Sequence, residues 1–234
     1  MPRFSPRSRD LFELLLGYGL ILVVIWTPNP LQHILYWIAF ATVILITFFR
    51  REDRTTLGLG TAGLLPSLWV VAAALALAAI AVWIAWRMHT LHPLFGNQPI
   101  GSHIWGYVLW AILQQFLLQS YFLARLLRLV EARWLAVMLA AVIFAIAHIP
   151  NPLLIVLTLV WGLISCLIFL RYRNLYTLGL AHGILGICIA ITVPNHIHRH
   201  MRVGLGYLHY HTHTWRAGRP NGAAHPIGYR PSRE

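Results

Sequence analysis

The chain has 234 residues, of which 59% are hydrophobic and only 10% charged, and its mean hydropathy is +0.67. A soluble domain carries about a quarter charged residues, so this composition excludes an ordinary soluble globule and leaves a membrane protein. The net charge of +12 comes from 18 arginines and no lysine. Those arginines lie mostly between apolar runs, which fits anionic lipid and topology control and rejects a nucleic-acid partner.

In chain order, MPRFSPRSRD followed by LFELLLGYGLILVVIW has the basic and apolar regions of a signal sequence. Only TPNP follows, with no small-x-small cleavage site, so a retained first span is expected. Seven apolar runs can be marked, at 11–26, 31–49, 64–86, 104–127, 134–149, 153–170 and 176–193. At about 20 residues per crossing they predict an all-α, polytopic transmembrane bundle of about seven spans (six to eight) over residues 1–194. The first, fifth, sixth and seventh runs are short, so kinked or incomplete crossings are expected among them. TPNP, RREDR, a His/Pro/Gly loop at 87–102 and IPNP separate the runs, and LGLGTAG before the third is expected to lie along the interface.

Arginines cluster at alternate ends of the runs. The positive-inside rule then places the N-terminus in the cytoplasm, with a bacterial cytoplasmic membrane as the expected setting. Seven crossings would export the tail at 195–234, which carries six arginines. Either the seventh run does not fully cross, or the tail returns, or it is exported despite its charge. Of the six acidic residues, Glu13 alone falls within a predicted span. Cys166 and Cys188 lie in apolar runs and read as small core residues rather than a disulfide pair.

Three runs carry polar groups at membrane depth. The fourth contains ILQQFLLQSYFLARLL, with Gln114, Gln115 and Gln119. Gln115 and Gln119 share a helix face, and Gln114 lies about 100° away. The fifth contains FAIAH, which puts Phe144 and His148 on one face, and the seventh contains GLAHG, with His182 between Gly179 and Gly183. That glycine spacing favours close helix approach. Any one of these groups can serve only to link helices by hydrogen bonds. Three helices each contributing one point to a single converging polar site.

This order of motifs resembles the CAAX protease and bacteriocin-processing family of Abi-type intramembrane proteases. That family carries EExxxR on one span, FxxxH on the next, and a histidine, usually as HxxxN, two spans later. Here the chain reads QQFLLQ, FAIAH and HGILG, with 33 residues from Gln115 to His148 and 34 from His148 to His182. The resemblance covers residues 104–194 and implies a CAAX protease-like fold. It implies that His148 orients or deprotonates water, that His182 donates to an oxyanion, and that Phe144 contacts substrate. Gln114 and Gln115 stand where the family has glutamates, Gln119 where it has arginine, and Gly186 where it has asparagine. An amide cannot take a proton from water, so base help of about 10²–10⁴-fold must come from a histidine.

The tail reads NHIHRHMRVGLGYLHYHTHTW, with His196, His198 and His200 in one HxHxH and His209, His211 and His213 in another. In an extended chain each triplet could present imidazoles to one metal, or the tail could be solvated with adventitious affinity only. From Arg216 onward, Pro, Gly and Arg read as disordered. No cofactor is assigned. The expected function is a CAAX protease-like intramembrane hydrolase with a histidine-centred site, acting on a membrane-associated or prenylated peptide. The alternatives are a peptide- or lipid-binding scaffold and a membrane enzyme acting on an isoprenoid or other lipid.

Overall fold

The computed structural model describes residues 5–91 and 100–209. Each apolar run forms a helix: α1 (Pro6–Ile25), α2 (Leu31–Phe49), α3 (Leu64–Arg87), α4 (Ile100–Gln115), α5 (Ala124–Leu129), α6 (Arg133–Ile146), α7 (Pro152–Tyr172) and α8 (Leu175–Thr192). A π-helical stretch, Phe116–Leu123, joins α4 to α5 without a break. Among the described residues, five helices are long and apolar enough to cross a membrane: α2, α3, the joined Ile104–Leu129, α7 and α8. The fifth run gives only the shorter apolar α6, and α1 begins in the basic segment and carries Arg7, Arg9, Asp10 and Glu13. The chain is an integral membrane protein built as an all-helical bundle.

Helix starts follow local chemistry. Ser5, Asn151 and Asn174 cap α1, α7 and α8 with side-chain oxygens that accept from Ser8, Leu154 and Thr177 N–H, and Pro6 and Pro152 open their helices. α3 and α8 run side by side in the same direction. Ser67 Oγ lies 2.8 Å from Thr177 Oγ1 at one end, and Thr90 Oγ1 donates to the Thr192 carbonyl at 3.1 Å at the other. Against α4, α8 packs with glycines. A Cβ at Gly179 would meet Ile112 Cγ1 at 2.5 Å, and one at Gly183 would lie 3.3 Å from Val108 Cγ2.

LGLGTAG forms turns whose first residues are tucked into the bundle while Thr61 and Ala62 stay exposed. Leu57 is buried, its carbonyl accepts from Ser120 Oγ at 2.7 Å, and the Gly58 carbonyl accepts from Leu175 N–H at 2.8 Å. The arginines at one end are not all lipid contacts. Arg125 is fully buried, with its guanidinium 2.9 Å from Glu13 Oε2 and 3.7 Å above the Tyr121 ring. Glu13 also accepts from Arg9 and Arg50, while Asp10 receives Arg50 and Arg128. Burial opposes the charge on Arg50, but the hydrogen bond to Glu13 and the neighbouring carboxylates outweigh it and hold its pKa above the ordinary value.

The described part of the tail, 195–209, is folded. It forms α9 (Asn195–His198), a 3-10 turn (Arg199–Met201) and a further helical turn over 204–209. Left-handed backbone at Arg199, His200 and Met201 breaks the extended geometry that HxHxH needs to align its imidazoles. Among the described residues, no group of three His, Cys, Asp or Glu is placed to hold a metal ion. His211, His213 and the stretch from Arg216 lie outside the described residues.

A histidine pair around Phe144

The site is built on the helix that changes from α to π. From Leu118 to Ala124 every residue is buried, so this part of the helix has no lipid face. Its polar side chains fasten it to three different elements. Gln119 reaches α7, Ser120 reaches the turn at Leu57, and Tyr121 Oη donates to the Glu13 carbonyl at 2.7 Å. Such π segments often occur at functional sites.

Gln115 and Gln119, both fully buried, do share a face. Gln119 Nε2 donates to Gln115 Oε1 at 3.1 Å and to Ser165 Oγ at 3.0 Å, and Gln115 Nε2 lies 3.2 Å from His182 Nδ1. The pairing therefore joins α4, the π segment, α7 and α8. Ser165 was missed by sequence reasoning, since a lone serine in an apolar run carries no distinguishing signal. Gln114 does not join this chain. It turns toward a separate cavity of about 150 Å³ between α1, α2, α4 and α6.

His148 lies on the wall of that cavity together with Gln114 and Phe144, and Tyr18, Tyr36 and apolar side chains complete much of the lining. Its Nδ1 is 2.7 Å from the Phe144 carbonyl. A carbonyl can only accept, so Nδ1 carries the proton and Nε2 keeps its lone pair. The Phe144 ring stands between the two histidines, edge-on to His148 at 5.0 Å and to His182 at 5.9 Å between centroids. Trp161 covers another side of His182, at 6.0 Å. The three sequence-predicted helices thus meet, with the polar groups divided into a buried amide chain ending on His182 and a cavity bearing His148.

The C-terminal segment borders this cavity. Val203 contributes to its lining, and Gly204 N–H donates to the Ile149 carbonyl at 2.8 Å. Asn151, from the IPNP turn, anchors the same segment by donating to the His198 and Arg202 carbonyls at 2.8 and 3.2 Å. Gly204 has φ +53°, and a Cβ there would run into the Ile25 side chain and carbonyl. Only glycine fits this approach.

One further departure from the family motif has a structural account. At Gly186, where the resemblance expects asparagine, an added Cβ would collide with the Tyr107 hydroxyl. A phenol from α4 fills the space of the absent side chain.

Residues 96–188 match a protein-family model described as Type II CAAX prenyl endopeptidase Rce1-like. The match includes Gln114, Gln115, Gln119, His148, Ser165 and His182, and leaves α1 to α3, with the cavity-lining Tyr18 and Tyr36, outside it. No curated protein and no solved structure matches the chain. Residues 96–188 are thus similar to the Rce1-like CAAX prenyl endopeptidases, and they are set in a polytopic helical membrane protein.

Proposed function

We propose that the protein is an intramembrane hydrolase whose base is His148 and whose substrate is a membrane-associated peptide carrying an apolar chain. One observation carries this reading: His148 lies on an apolar cavity with Nδ1 tied to the Phe144 carbonyl, which leaves Nε2 as a free acceptor. A neutral imidazole in that state can take a proton from water. The resemblance gives His182 the part of stabilising the oxygen of the attacked carbonyl; its ring lies behind Phe144, outside the cavity lining. Phe144 separates the two and orients the substrate, while Gln114 donates a hydrogen bond from the far wall without taking a proton.

A cavity of about 150 Å³ holds roughly one benzene-sized apolar group. A whole prenyl tail would be seated only in part unless the bordering segment at Val203 moves. The arginine distribution over the spans supports a cytoplasmic N-terminus.

The second reading is a non-proteolytic relative, either a scaffold binding peptide or lipid or an enzyme acting on an isoprenoid lipid. Its support is separate: Gln114 and Gln115 place two uncharged amides where the family resemblance calls for glutamates. The test uses purified protein in liposomes with prenylated peptides and membrane lipids, followed by mass spectrometry beside His148→Ala. Cleaved peptide lost in the variant supports the hydrolase. An altered lipid with intact peptide supports the lipid enzyme, and no change in either pool supports the scaffold.

A further inference from the structure

The direction of the buried hydrogen-bond chain can be worked out from its far end. Ser165 Oγ lies 3.3 Å from the Gly162 carbonyl and donates to it, so it must accept from Gln119 Nε2. Gln119 Nε2 gives its other hydrogen to Gln115 Oε1. The Gln115 amide is thereby oriented with its NH₂ toward His182, and Nδ1 of that ring can only accept. In a neutral imidazole the proton is then on Nε2. Reversing both amides would leave the two amide hydrogens of Gln119 without these acceptors. In the observed direction the one orphan at that position is an oxygen, Gln119 Oε1, which has no partner among the described residues. A carbonyl oxygen with an unused lone pair is the less costly omission.

We infer that Ser165, Gln119 and Gln115 are positioning residues that lock His182 as the Nε2–H tautomer, a hydrogen-bond donor, while His148 is held in the opposite tautomer by the Phe144 carbonyl. The inference rests on the hydrolase reading only for the use made of the donor; the tautomer itself is a property of the resting protein. It gives the glutamines a function that glutamates would not serve. A carboxylate at 115 has no hydrogen to offer Nδ1 and would instead accept one from it, turning His182 around or charging it.

The experiment is ¹⁵N NMR of histidine side chains in the full-length protein in lipid, with His182 assigned by its loss in His182→Ala. The expected result is protonation at Nε2 of His182 and at Nδ1 of His148. Gln115→Glu is expected to move the His182 proton to Nδ1 or add a second one. Ser165→Ala, a mild change, is expected to give mixed tautomers at His182, and Ser165→Thr to restore the parent spectrum. A His182 found as Nδ1–H in the parent overturns the inference, as does one that stays Nε2–H in both Gln115→Glu and Ser165→Ala. Peptide cleavage by the same preparations is scored separately. Correct tautomers without His148-dependent cleavage would sink the hydrolase reading and leave the lock intact.

Discussion

Replacing Glu13 by glutamine tests the buried ion cluster most directly. The carboxylate accepts from three arginines: Arg9 at 2.9 Å, Arg50 at 3.0 and 3.1 Å, and Arg125 at 2.9 and 3.1 Å. Arg9 and Arg50 reach solvent to some degree, whereas the Arg125 side chain is completely buried. Glu13→Gln removes the charge and leaves Arg125 with the Tyr121 carbonyl and ring for company. Two unit charges about 4 Å apart at an effective dielectric of about 20 attract by about 4 kcal/mol. Loss of one partner from a buried pair costs a similar amount, about 3–5 kcal/mol. Arg125→Met has a different consequence, because Glu13 keeps two arginines; lost packing and cation–π contact make that cost about 1–2 kcal/mol. The double variant, with no stranded charge, is expected to resemble Arg125→Met alone. Thermal unfolding of all four proteins in one detergent measures this cycle. Equal losses from the two single variants, adding in the double, would refute the argument that a stranded Arg125 dominates.

Gly179→Ala forces a Cβ to 2.5 Å from Ile112 Cγ1 and 2.9 Å from its Cα; a loss of about 1–3 kcal/mol is expected, together with separation of Gln115 from His182, read by unfolding and by the His182 NMR signal. Gly183→Ala, with its nearest contact at 3.3 Å, is expected to cost less than about 1 kcal/mol in the same melt. Gly204→Ala should release the segment that borders the cavity, seen as faster thiol labelling of a cysteine placed at Val203. The two adjacent glutamines should also part company: Gln114→Glu, facing the cavity, is expected to raise peptide cleavage by up to about 10²–10⁴-fold, and Gln115→Glu to lower it by disturbing His182, both read by product mass spectrometry.

Much of the helical frame was legible because the separators carry strong local chemistry. The second run, 31–49, coincides with α2, and IPNP marks both the end of α6 and the Asn151 and Pro152 start of α7. Motif order likewise placed Gln115, Phe144 and His182 on helices that meet, whereas His148 lies in the turn just after α6 rather than on the helix itself. What escaped the sequence is non-local or depends on backbone detail. Arg125 reads as one more basic residue at a span's end, and nothing local shows that Glu13, 112 positions earlier, takes its charge. The split between Gln114 and Gln115 follows from the 100° between neighbours, but which side holds a cavity is decided by α1 and α2. The left-handed turn through Arg199, His200 and Met201 overrides the alternation that would let a triplet share one face.

The stretch from Gln115 to Arg125 links these features mechanically. Its consecutive polar residues 119, 120 and 121 bond to α7, to the Leu57 turn and to α1, and Arg125, one helical turn after Tyr121, bonds to Glu13. A π segment held at so many points cannot rotate to relieve a change at one of them. Interiors of this kind are closely packed and transmit strain rather than absorb it. The ion cluster at one end and the histidine pair nearer the other therefore share one rigid element. On this argument Glu13→Gln should shift the His182 tautomer balance even though Glu13 makes none of the bonds in the amide chain. A ¹⁵N spectrum of that variant identical to the parent would mean that the two ends of the helix are independent.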